Sequence, residues 1–113
     1  MRVALIQGKS QGQVQANLDY YLNKIREAAK ASVALVVLPE LMLSDYFPIV
    51  ESAENFSLAM NINAPEIQAL AKLAKELKIV LTIPFYEKRS DGVYHNSMLI
   101  AESDGSIIAH YRK

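Results

Sequence analysis

The chain is expected to fold as an α/β domain built on a mixed β-sheet with two main helices. Three observations predict it. Two β-branched apolar runs, at 2–7 and 33–38, bracket a stretch with apolar residues at helical spacing. A second helical period, entered through Pro65, leads into a third apolar run at 79–85. Two turn signals, Asp91-Gly92 and Ser103-Asp104-Gly105-Ser106, then cut the remainder into adjacent extended segments.

The elements follow in order. Residues 2–7 read as a short buried strand, with a polar loop at 8–13. Leu18, Tyr21, Leu22, Ile25 and Ala29 recur at helical spacing, while Asn17, Lys24, Glu27 and Lys30 are expected to face water. The run at 33–38 completes a strand–helix–strand unit, which implies parallel pairing and a right-handed crossover. Residues 41–61 have no clean period and are expected to form an irregular connection with a short helical piece. Asn63 is a candidate N-cap with Glu66 three residues on, as in a capping box. Ile67, Leu70, Ala71, Ala74 and Leu77 line one side of the helix that follows, which is expected to run to about Lys78. The segments 82–88, 93–101 and 107–112 then read as an antiparallel meander appended to the parallel front half.

Composition narrows the function classes. With 113 residues and 51 % apolar content, one modest domain can bury a core. Twelve basic and twelve acidic side chains give a net charge of zero, so neither nucleic acid nor a membrane surface is an expected partner. The apolar stretch after Arg2 is too short for a signal peptide, and the chain is expected to be cytoplasmic. There is no cysteine, and His95 and His110 lie on separate predicted strands, so no metal is expected.

Two strand ends carry groups suited to chemistry. Leu35-Val36-Val37-Leu38-Pro39-Glu40 runs an apolar strand into a carboxylate, and ligands of open α/β sheets bind beyond such ends. Glu40 is therefore a candidate general base, set against the plainer reading of a solvent-facing glutamate. Ile107-Ile108-Ala109-His110-Tyr111-Arg112-Lys113 runs another strand into an ammonium. If Ile107 and Ala109 face inward, Lys113 does too, where Glu40 could pair with it and the ammonium could stabilise an oxyanion. Asp45, Tyr46, Phe47 and Pro48 suit a substrate-pocket wall or a cover for the sheet end. Glu87 either orients a lysine, fixes a loop, or is a surface residue beside Lys88 and Arg89. Tyr94 and Asn96 are read as organisers of the hairpin. Gly8-Lys9-Ser10 fails as a phosphate loop because the required earlier glycine would fall at Ala4.

Taken in order, these motifs resemble the nitrilase superfamily of carbon–nitrogen hydrolases. The resemblance runs from Val3-Ala4-Leu5-Ile6-Gln7 through the Glu40 motif, Phe85-Tyr86-Glu87-Lys88-Arg89, Tyr94-His95-Asn96-Ser97 and Asp104-Gly105 to Tyr111-Arg112-Lys113. Within it, the segments at 46–48 and 85–89 look most like N-carbamoylputrescine amidases and related N-carbamoyl amidohydrolases. Two departures stand out: Ala31-Ser32 and Asp45 occupy places where the family often has glycine. The resemblance implies a four-layer αββα sandwich of which residues 1–113 are the N-terminal portion. It implies a thiol-dependent reaction on a small amide or carbamoyl substrate, with Glu40 as base, Lys113 as oxyanion partner and no cofactor. The nucleophilic cysteine would lie downstream of Lys113, and the complete form would be a homo-oligomer. The chain alone is then expected to be inactive. The competing reading is a noncatalytic truncated α/β binding or assembly module.

Overall fold

The computed structural model describes residues 1–44 and 53–113. Asp45, Tyr46, Phe47 and Pro48 lie outside the described residues. Five strands form one sheet in sequential order: β1 Val3–Leu5, β2 Leu35–Val37, β3 Val80–Ser90, β4 Val93–Ala101 and β5 Ile107–Arg112. β1, β2 and β3 pair in parallel, and β3, β4 and β5 antiparallel. Two helices, α1 Val14–Ala29 and α2 Pro65–Leu77, supply the crossovers, and a 3₁₀ helix spans Ala53–Leu58. The mixed sheet and its two helices form a helix-on-sheet pair of layers consistent with an αββα nitrilase-like sandwich.

The core lies between the helices and one face of the sheet. Leu18, Tyr21 and Ile25 from α1 and Ile67, Leu70, Leu73 and Ala74 from α2 pack on Val36, Leu81, Ile83, Phe85, Leu99 and Ala101. These strand residues sit two apart or directly opposite in register, so a single face collects them. Among the described residues, no layer covers the other face. Val3 and Leu5 are 45 % and 76 % exposed, although the continuous apolar run suggested a strand covered on both sides. Among the described residues, no helix is long and apolar enough to cross a membrane.

Three local expectations are corrected. Asn17 is fully buried rather than wetted: it donates to Leu43 O and Ser10 Oγ and accepts from Gln11 N, tying two loops to α1. Asn63 is not a cap. Ala64 occupies that position without a side-chain bond, and Asn61 Oδ1 takes the Asn63 N–H instead, closing a turn before Pro65. Ile107 and Ala109 of β5 do not face inward but are exposed, and it is His110 and Arg112, on the alternate side, that reach the buried Glu87.

The meander agrees with the sequence reading. Gly92 and Gly105 adopt φ of 75° and 86° at the two tight turns. α2 ends at Leu77, with Lys78 in the left-handed conformation as its C-cap.

Candidate active site

The parallel half of the sheet delivers Glu40. Thr82 Oγ1, on the neighbouring strand, accepts the Leu38 N–H at 3.1 Å and fixes the exit of β2. Pro39 then stiffens the backbone before the carboxylate. Directly after it, Leu41 adopts φ 51°, an uncommon conformation for a branched residue, and is buried together with Met42 and Leu43. Those three side chains anchor the turn in the interior, and Asn17 holds it from α1 through Leu43 O. Glu40 itself stays near the surface.

The antiparallel half delivers Lys113. The Lys113 N–H donates to Asn96 O at 2.9 Å, continuing the β4–β5 ladder one residue past Arg112. Lys113 Nζ reaches Glu40 Oε1 at 3.3 Å, and Asn96 Nδ2 donates to the same oxygen at 2.5 Å. The two strand-end groups therefore meet directly. Their side chains are 69 % and 44 % exposed, so the lysine is not buried as its alternation with Ile107 and Ala109 suggested. The open face of the sheet explains this: no layer of described residues lies over β5. Leu38, Glu40, Pro84, Asn96, Met98, Tyr111 and Lys113 border a concavity of about 190 Å³ there. Its apolar walls with a carboxylate, an amide and an ammonium at one end suit a small polar ligand with an apolar stem.

Glu87 occupies the opposite face. It is 1 % exposed and does not touch Lys113. Its Oε1 accepts from Ser97 Oγ at 2.8 Å and Arg112 Nε at 2.9 Å, and Oε2 accepts from Arg112 Nη2 at 3.0 Å. His110 Nε2 lies 2.9 Å from the same Oε1, which requires a proton on that nitrogen. Burial by itself would raise the Glu87 carboxyl. The hydrogen bonds from Arg112, Ser97 and His110, with the attraction of His110, outweigh it and hold the group at about 2. The surface-glutamate reading is thereby excluded, and Glu87 is an anion at neutral pH beneath the end of β5. The alternation of His110 and Arg112 away from Lys113 is visible in the sequence, but the register across β3, β4 and β5 that brings Glu87 under them is not.

Residues 2–113 match the carbon-nitrogen hydrolase family model. The chain belongs to the carbon–nitrogen hydrolase family. It is 34 % identical over its whole length to a citrullinase of Francisella tularensis, of which it covers 40 %. It is also 34 % identical over 86 % of its length to an N-carbamoylputrescine amidase of Oryza sativa, of which it covers 32 %. Its backbone superposes on a carbon-nitrogen hydrolase from Helicobacter pylori G27 with TM-score 0.92 and 33 % identity, over 100 % of this chain and 39 % of the other. An amidase from Nesterenkonia shares the fold at TM-score 0.78 and 23 % identity, with 42 % of that chain covered. The chain thus spans well under half the length of these relatives.

Proposed function

We propose that Glu40 and Lys113 are the general base and the oxyanion-stabilising cation of an amidohydrolase site. On their own, these 113 residues form a noncatalytic α/β binding or assembly module, because they contain no thiol. The observation that supports this reading is the 3.3 Å meeting of Glu40 and Lys113 at adjoining strand ends in a chain without cysteine. The open apolar face beside them supports an assembly role.

With a thiol supplied by a further segment, the chemistry balances. Glu40 takes the thiol proton, and the thiolate sulfur bonds to the carbonyl carbon of an amide or carbamoyl group. The displaced π pair moves to oxygen, where the Lys113 ammonium stabilises it. Collapse breaks the C–N bond, and Glu40 returns its proton to the departing nitrogen. Water, deprotonated by Glu40, then cleaves the thioester and restores the thiol. No cofactor or metal takes part in this scheme.

N-carbamoyl amines are the proposed substrate class, supported by likeness to the citrullinase and to the plant N-carbamoylputrescine amidases. The products would be the amine, ammonia and carbon dioxide. Asp45, Tyr46 and Phe47, which follow Glu40 in sequence, complete the reading as a pocket wall, and homo-oligomerisation belongs to the complete form. Ammonia release from N-carbamoylputrescine tests it. The isolated chain is expected to release none, and turnover by it would overturn the noncatalytic reading. A chimera in which this chain replaces the matching part of the Helicobacter hydrolase is expected to cleave an amide that the parent cleaves. A folded but inert chimera would overturn the site.

A further inference from the structure

We infer that Asn96 is a positioning residue that holds the Glu40 carboxylate and the Lys113 backbone in one frame; this rests on the reading of those two residues given above. One residue makes both contacts. Its side-chain nitrogen donates to Glu40 Oε1 at 2.5 Å, and its main-chain oxygen accepts the Lys113 N–H at 2.9 Å. A carboxylate is acceptor-only, so the amide must turn its nitrogen toward Glu40.

The frame has two sides. Asn96 stands opposite Tyr86 within the β3–β4 ladder, and the next residue, Ser97, points to the other face. There Ser97 donates to Glu87, which in turn holds Arg112, the neighbour of Lys113. Ser97 therefore supports the Glu87–Arg112 clasp on one face, the Asn96 main-chain oxygen holds Lys113 within the ladder, and the Asn96 amide reaches Glu40 on the other face.

The chemistry gives this contact a purpose distinct from that of the ion pair. Attraction between Glu40 and Lys113 falls when the carboxylate accepts a proton. A neutral amide donor does not depend on that charge, because an oxygen of the protonated acid still accepts a hydrogen bond. A base that gains and loses a proton twice per cycle needs such a fixed contact to stay in place. Asparagine supplies it without competing for the proton.

The test needs no turnover, so its outcome is independent of whether the chimera is active. The Asn96 side-chain amide signals of the 113-residue chain are followed by NMR from about pH 3 to about pH 8, a span that brackets carboxyl titration. They are expected to move with a single carboxyl titration, and Glu40→Gln is expected to abolish that movement while leaving the backbone spectrum folded. Asn96→Ala is expected to leave the Lys113 amide protected from exchange, since the main-chain acceptor remains. Absence of titration in the unsubstituted chain, or its persistence in Glu40→Gln, would overturn the inference. Loss of Lys113 protection in Asn96→Ala would assign Asn96 a merely structural role and overturn it equally.

Discussion

Glu87 and Arg112 are joined by two hydrogen bonds, at 2.9 and 3.0 Å, with the carboxylate almost wholly buried and the guanidinium at the sheet edge. Lys113 is the next residue. The edge strand that carries the candidate cation has no layer of described residues over it, and its end is held by this charged clasp and by the β4 ladder.

Removing the buried charge should loosen that end. Glu87→Gln is expected to destabilise the fold by about 1–3 kcal/mol, because Ser97, His110 and Arg112 lose a buried anionic acceptor. Denaturant unfolding at neutral pH measures it. A loss below about 0.5 kcal/mol would mean the clasp contributes little.

The same carboxyl sets an acid limit. Its value in the fold, about 2, lies below the ordinary 4.5, so the unfolded chain binds the proton first as pH falls. Its contribution is complete above about 4.5 and is lost as pH drops through about 2. Unfolding free energy should therefore fall across that window in the unsubstituted chain, and less steeply in Glu87→Gln. Equal slopes would remove Glu87 as the cause.

The core is one-sided, and substitution should show it. Leu70→Ala, at a fully buried position, is expected to cost about 2–5 kcal/mol. Leu5→Ala, on the open face at 76 % exposure, should change the stability of this chain by no more than about 0.5 kcal/mol. Comparable losses at both positions would indicate that the open face is covered in solution.

Gly105 is constrained twice. Its φ of 86° disfavours any side chain, and an added Cβ would lie 3.1 Å from Lys75 Cβ and 3.3 Å from Ala71 O on α2. Gly105→Ala is expected to lower stability by about 1–3 kcal/mol, measured by thermal unfolding. An unchanged midpoint would contradict the close approach of this turn to the helix.

Much of the fold was legible because it rests on local periods. Leu18, Tyr21 and Ile25, and Ile67, Leu70 and Ala74, declare helical faces by spacing alone, and Gly92 and Gly105 sit where tight turns require them. Glu40 and Lys113 were legible as strand-end groups that could pair, and the family resemblance gave them roles. What stayed hidden depends on register and on packing from outside the segment. Asn17 looked like a wetted helix residue because nothing local shows that two loops converge on it. Glu87 sits beside Lys88 and Arg89 in sequence, yet its partners come from β4 and β5. Asn96 was read as a hairpin organiser, and only the exit path of β2 reveals that its amide faces Glu40.

If Glu40 and Lys113 serve one reacting carbonyl, turnover requires both once a thiol is present. The most direct measurement is kcat of the Helicobacter chimera carrying Glu40→Gln or Lys113→Met. Each substitution is expected to lower kcat by about 10²-fold or more while the protein remains folded. Either variant retaining the kcat of the unsubstituted chimera would contradict it.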